Sequence, residues 1–339
     1  MSENAYRWSG SIDAEVKDLL DEVQAGNTVP MEDLAVDEMR RRSLVDARAT
    51  CGEPVAVNQV RDIVIPCDHG DVRARMYTPK GTAPFPALLF VHGGGFITCS
   101  VDTHDADCRS LCDGAKCVVV SVDYRLAPEH PFPAAIDDVY RALEWVASNA
   151  KRLNIDASRI AIGGDSAGGN LSASACLIAR DRSGPAIRCQ MLIYPATNLA
   201  HPETSSYIRY GEGYLVTRRF AERCLDAYFD AEGDARNPYA SPFLAADLSN
   251  LPPAFILTAE FDIVRDDGEA YAARLKDSGV PTHVSRYDGM IHGFFSMTGV
   301  LSRARVAQAD AAAALRAAFS EDTSDWTASR SPKAGIGGS

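Results

Sequence analysis

No stretch of the 339-residue chain holds eighteen consecutive apolar residues, so nothing in it reads as a membrane-crossing helix. Met1 to Gly10 is polar and lacks the apolar core of a secretory signal, and none is expected. Positive charge is in short supply: 34 Lys and Arg stand against 46 Asp and Glu, a formal net charge of -12. An acidic surface repels phosphate, which argues against nucleic acid and anionic membrane as partners and disfavours polyanionic substrates. Metal-ligand spacings are missing too. There is no Cys-x-x-Cys and no His-Glu-x-x-His. Neither Cys67-Asp68-His69 nor the set Asp102, His104 and Asp105 has a paired-ligand spacing, so no metal is expected. The nine cysteines are odd in number and scattered, which fits free buried thiols better than a disulfide framework. Together these features place the chain in the cytoplasm. No internal repeat is visible.

What is present is the composition of a globular protein with a sizeable core, 46% hydrophobic and 24% charged. Ile12, Val16, Leu19, Leu20 and Val23 have helical spacing, and a second helical stretch follows Pro30 from Met31 to about Ala49. Both stand outside the alternation that follows, and residues 1–55 are read as a helical cap segment. From residue 56 to 320 the pattern is that of a catalytic domain. Asp62 to Pro66 and Val72 to Thr78 read as strands joined by a turn through Asp68-His69-Gly70. Pro86 to Val91, Cys117 to Tyr124, Arg159 to Gly163, Ile187 to Tyr194, Ala254 to Ala259 and Thr282 to Tyr287 read as further strands. Helices are expected along the stripe Ile136, Val139, Tyr140, Leu143 and Val146, over Ala167 to Arg180, and over Ala307 to Phe319. Such alternation makes an α/β fold with a parallel sheet covered by helices on both faces. An insertion at about 200–248, with a helix near Arg218 to Tyr228, falls where open sheets bind ligands and is read as a second cap element. The tail 321–339 is expected to be disordered.

Three segments carry chemistry. Gly164-Asp165-Ser166-Ala167-Gly168 lies between a strand and a helix. A tight turn there exposes the serine, glycines on either side remove clashing Cβ atoms, and the helix N-terminus faces the reacting group. His92-Gly93-Gly94-Gly95-Phe96 follows a buried strand. Two of its three glycines, with Ala167 as a further donor, can aim N–H groups at one oxygen. No Lys-Ser/Thr follows, so a phosphate loop is the weaker reading, and His92 itself is taken as structural. His292, in a loop after the last strand, is the expected base, ahead of His69, His130, His201 and His283. The acid belongs between Ser166 and His292 in chain order. Asp262 is favoured over Glu260, Asp266 and Asp267. Asn170-Leu171-Ser172 fits a glycosylation pattern but lies in the helix behind the serine, where chance is the better account.

His92-Gly93-Gly94-Gly95-Phe96, Asp123-Tyr124-Arg125-Leu126-Ala127-Pro128-Glu129-His130, the serine turn through Gly169, and Ile291-His292-Gly293-Phe294 together resemble the bacterial hormone-sensitive-lipase-like esterases, over roughly Val60 to Phe319. The resemblance implies an α/β-hydrolase core of eight mostly parallel strands under a two-part helical cap. It implies Ser166, Asp262 and His292 as a triad, with Gly93, Gly94 and Ala167 at the oxyanion hole. It also implies structural salt links around Asp123, Arg125 and Glu129. Two departures stand out. Ile263-Val264 replaces a frequent Pro-Leu, and Cys99 replaces a frequent glycine, where it is expected to narrow the pocket or confer sensitivity to thiol reagents.

The expected activity is hydrolysis of short- to medium-chain or small apolar esters through an acyl-enzyme, with no cofactor. The pocket is expected to be lined by Phe96, Leu215 and Phe295, with Tyr207 and Tyr210 from the insertion. Lactone opening, amide hydrolysis and deacetylation use the same triad and stay open, and a non-catalytic ligand-binding protein on this fold is the less favoured alternative. By analogy the chain forms a homodimer.

Overall fold

The computed structural model describes residues 12–26, 28–67, 70–230 and 234–320. Residues 68 and 69 of the first turn, with His69, and the tail 321–339 lie outside them. Eight strands form one sheet: β1 (Gln59–Ile65), β2 (Val72–Thr78), β3 (Phe85–Val91), β4 (Val118–Asp123), β5 (Ile155–Asp165), β6 (Gln190–Ile193), β7 (Ala254–Phe261) and β8 (Thr282–Ile291). Their order is β1-β2-β4-β3-β5-β6-β7-β8. β2 pairs antiparallel with β1 and β4, and every other pairing is parallel. This is the α/β-hydrolase fold expected from the sequence.

The helices are α1 (Ala14–Ala25), α2 (Val36–Thr50), α3 (Asp105–Ala115), α4 (Ala134–Ser148), α5 (Ala167–Asp181), α6 (Ser205–Arg209), α7 (Arg218–Tyr228), α8 (Arg265–Asp277) and α9 (Ser302–Phe319). Side chains alternate across a strand, so each central strand feeds two cores. Leu89, Val91, Val120 and Ile162 pack with α4, α5 and α8. Leu88, Phe90, Val119 and Ala161 pack on the other face with α3 and α9. Among the described residues no helix is long and apolar enough to cross a membrane.

Several boundaries differ from the sequence reading. Pro30 is followed by a single 3-10 turn, Met31–Asp33, and the helix proper starts only at Val36, because Leu34 and Ala35 are extended. β5 begins four residues earlier than expected. Its polar entry, Asp156 to Arg159, hides a strand whose pairing with β3 shifts between Phe85 and Ala87. α9 starts at Ser302, five residues before its expected start. α3 went unforeseen, since its buried stripe Cys108, Leu111, Cys112 and Ala115 contains a single large aliphatic residue, Leu111, among cysteines and alanine.

The segments outside the alternation are tied to each other. α1 lies at the end of β8, where Asp13 N–H donates to the Gly289 carbonyl. The 3-10 turn at Met31–Asp33 meets α7: Thr217 Oγ1 donates to Glu32 Oε1 at 2.9 Å and Arg219 pairs with Asp33 at 2.7 Å. Thr217 also caps α7 by accepting from Phe220 N–H.

β3, β5, β7 and β8 run parallel, so their C-terminal ends meet along one edge of the sheet. At that edge α5 crosses very close to β3. A Cβ on either Gly164 or Gly168 would overlap the Val91 carbonyl oxygen. Gly168→Ala is therefore expected to lower stability by about 3 kcal/mol, the upper end for overpacking a filled core. The measure is urea unfolding: the midpoint should fall with an unchanged slope, and a wild-type midpoint would show that β3 can move aside.

Candidate active site

At the end of β5 the chain turns into α5 through Ser166, whose φ of 54° and ψ of -118° are strained for a residue with a Cβ. The turn is pinned by Ser166 N–H, which donates to the Ile193 carbonyl at 2.8 Å. Ser166 Oγ lies 2.9 Å from His292 Nε2, and His292 Nδ1 lies 2.8 Å from Asp262 Oδ2. Asp262 is 1% exposed, and its other oxygen accepts the Val264 N–H at 2.9 Å. Held this way, the carboxylate fixes an Nδ1–H tautomer, leaving Nε2 free to accept the serine proton. Burial by itself pushes His292 down. The charge and hydrogen bond of Asp262, with Asp165 farther off, outweigh it and hold the imidazole above the ordinary histidine value.

The three rival acids are engaged elsewhere. Glu260 accepts Gly289 N–H, Asp266 accepts Ser206 N–H and pairs with Arg265, and Asp267 accepts from Thr197 and Asn198. Ile263 and Val264, the departure beside Asp262, face an apolar cavity and leave the acid in place. Among the other histidines, His283 stacks on Phe255 and His201 is exposed. His92 stacks on Tyr124 at 4.3 Å, and burial pushes it down to about 3, so it is neutral.

The glycine loop after β3 needs one correction. Gly93 N–H donates to Asp165 Oδ1 at 2.8 Å. A peptide has one N–H, so Gly93 leaves the set of oxyanion donors. Gly94 and Gly95 have φ of 104° and 59°, which turns the backbone at both. Among the described residues no acceptor lies on the N–H of Gly94, Gly95 or Ala167. The loop is braced from outside. Arg40 of α2 donates to the carbonyls of Ile97 and Ala127 and forms a two-pronged pair with Glu129. Phe96 stacks on Tyr228 of α7 with ring centroids 3.9 Å apart. Arg125 pairs with Asp138 at 2.7 Å, and Arg73 reaches Asp123 at 3.8 Å.

Beside Ser166 lies an apolar cavity of about 80 Å³, walled by Phe96, Leu199, Tyr207, Val216, Phe220 and Leu225 and reached by His292. Phe96 and Tyr207 are where the sequence put them. Three other expected liners are not. Tyr210 packs edge-on against Tyr214 and Phe261 with Arg265 over its ring. Phe295 is fully buried in the core against α9. Leu215, at φ 76°, points to solvent and hands the wall to Val216. The largest omission was α7, whose Phe220, Ala221, Cys224 and Leu225 form one helical face. That spacing was there to be read.

Cys99 is a second correction. It lies under Gly94 and lines a separate polar cleft with Arg40, Tyr124 and Arg125, so it does not narrow the apolar cavity. Burial pushes its thiol up to about 11. Of the imagined metal ligands, Asp102 and Asp105 face Arg75 while His104 turns to Asp165 at 3.1 Å. Among the described residues no group of three His, Cys, Asp or Glu could hold a metal ion. The Asn170 amide is buried and donates to the carbonyls of Ala196 and Ala240, which agrees with chance for its glycosylation pattern.

Residues 88–296 match a family described as α/β hydrolase fold. The carboxylic ester hydrolase LipN of Mycobacterium tuberculosis is 41% identical over 277 residues, covering 79% of this chain and 73% of that protein. An arylesterase of Saccharolobus solfataricus is 38% identical, covering 84% and 92% respectively. A hyperthermophilic esterase from Pyrobaculum calidifontis superposes with a TM-score of 0.86 at 42% identity, covering 91% of this chain and 99% of that one.

Cys99 is half-buried, as are Cys51 and Cys67, and its raised thiol gives a direct test. Iodoacetamide near neutral pH is expected to modify Cys99 only slowly and to leave activity intact, since the residue lines a cleft separate from the apolar cavity. Peptide mass spectrometry alongside an activity assay reads the outcome. Loss of activity that tracks Cys99 modification would restore the thiol-sensitive reading.

Proposed function

The chain belongs to the α/β-hydrolase family and is a hormone-sensitive-lipase-like carboxylesterase, and from that premise we propose that Ser166, His292 and Asp262 carry its reaction. The observation that supports this most is the unbroken line Ser166 Oγ, His292 and Asp262, with links of 2.9 and 2.8 Å, opening on an apolar cavity. His292 Nε2 takes the Ser166 proton as Oγ attacks the ester carbonyl. The oxyanion accepts from Gly94, Gly95 and Ala167, and the N-terminus of α5 adds its dipole. His292 returns the proton to the departing alcohol. Water, activated by the same imidazole, then releases the acid from the acyl-serine.

The small apolar cavity favours a short acyl chain, with Phe220 and Leu225 limiting its length. The N-terminal segment to residue 55 and the insertion at 200–248 act together as a cap, a reading supported by the Thr217–Glu32 and Arg219–Asp33 links. The same reading places the enzyme in the cytoplasm, supported by nine free cysteines, and takes the homodimer from the family resemblance.

Ser166→Ala is expected to abolish turnover of p-nitrophenyl acetate. A panel of acyl esters, lactones and amides run on both proteins would separate ester hydrolysis from its sister reactions, and turnover surviving in Ser166→Ala would overturn the assignment. Asp262→Asn should lower kcat about 10⁴-fold, the scale of the same change in a serine protease triad. The sign of its pH effect follows from the charge. Asp262 holds His292 up, and the base must be neutral to act, so removing the carboxylate moves the acid limb of kcat/KM to lower pH.

A further inference from the structure

Asp165, the residue just before Ser166, is 7% exposed. An isolated buried carboxylate is costly, so its partners explain why it is there. Asp165 Oδ1 accepts the Gly93 N–H at 2.8 Å and faces His104 Nε2 at 3.1 Å. Contact is close enough that a Cβ on Gly93 would overlap Asp165 Oδ2. His104, at the start of α3, is 5% exposed. Its Nδ1 faces Thr103 Oγ1 at 2.8 Å, and that hydroxyl already donates to the Ser100 carbonyl at 2.8 Å. Both ring nitrogens therefore face acceptors, which is the arrangement of an imidazolium.

We propose that the buried His104–Asp165 ion pair is the positioning element of the oxyanion loop: it pins Gly93 to the residue beside the nucleophile and so aims the N–H groups of Gly94 and Gly95 at the reacting oxygen. The inference rests on the reading of Ser166 as nucleophile and of this loop as the oxyanion site. The groups facing His104 are consistent with its charge. Asp165 comes from β5, Asp107 from α3, His92 from the loop after β3, and the Phe90 ring stands 5.9 Å away. Burial pushes His104 down, but the charge and hydrogen bond of Asp165, with Asp107 behind it, raise it to about 9. Asp107 is raised by burial to about 6 and accepts from Ser296 Oγ at 2.5 Å and Gln308 Nε2 at 2.7 Å. Ser296 follows His292 by four residues, so the start of α3 reaches Asp165, the anchor of Gly93, through His104 and the loop after His292 through Asp107.

A displaced donor is felt only once the oxyanion has formed, so its loss appears in kcat and leaves KM alone. The test uses the full chain with His104→Leu, which removes the donor, and His104→Gln, which keeps a neutral one. On p-nitrophenyl acetate, His104→Leu should lose about 10²-fold in kcat. Its KM should stay within about twofold. An aryl phosphonate should still label Ser166, only more slowly. His104→Gln should recover most of the loss. In wild type, kcat should also fall on the alkaline side as His104 gives up its proton, a limb absent from His104→Gln.

Wild-type kcat in a folded His104→Leu protein, or the same alkaline limb in His104→Gln, would overturn the proposal. If His104→Leu does not fold, the limb in wild type and His104→Gln decides alone. A wrong nucleophile would show differently, as an active Ser166→Ala protein or as phosphonate attached elsewhere.

Discussion

Where β5 becomes α5 the chain must reverse within one residue while lying against the carbonyl of Val91. The glycines at 164 and 168 make that contact possible, and the positive φ of Ser166 is its consequence. The groups gathered at this edge are all placed relative to that turn. The Ile193 carbonyl holds the Ser166 amide, β7 and β8 run parallel beside it, and their ends deliver Asp262 and His292 within hydrogen-bond reach. An antiparallel neighbour would have put one of those ends on the far side of the sheet.

Around the turn the protein buries several carboxylates, an unusual expense for a chain already carrying a charge of -12. Each buried acid has its own donors. Asp262 has His292 and Val264, Asp165 has Gly93 and His104, Asp267 has Thr197 and Asn198, and Asp107 has Ser296 and Gln308. Hydrogen bonds from fixed N–H and O–H groups replace the water these acids lost on folding. Because their partners lie on different elements, each acid also joins loops that the sheet alone would leave independent.

The sequence exposed what periodicity and local chemistry can encode. β3 and β4 were legible as apolar runs, the turn at Ser166 by its glycines, and Ser166, Asp262 and His292 as residues brought together at one edge of the sheet. It concealed what depends on direction. That Gly93 could donate was visible; that its N–H points to Asp165 was not. Tyr210 and Phe295 were expected to line the pocket and are instead buried away from it, since an aromatic side chain does not declare which cavity it faces. Nothing in the sequence marked His104, Asp107 and Asp165 as a buried cluster, because burial of a charged residue is decided by partners distant in sequence. α3, which carries Asp107 and follows directly on His104, lacked the branched stripe that would have marked it.

One contact joins two properties usually treated as separate. Cys224 of α7 is part of the cavity wall, and its Sγ also packs against the α-carbon of Gly95, where a Cβ would overlap it. Phe96, next along the loop, is stacked on Tyr228 one turn farther on the same helix. The wall that would set which acyl group fits is thus also the backing of the loop read here as receiving the oxyanion. A lineage adapting to bulkier acyl groups by trimming Cys224 would loosen Gly95 in the same step. Changes in substrate range should therefore arise more readily at Phe220, Leu225 or Val216, and divergence among relatives should be uneven along α7.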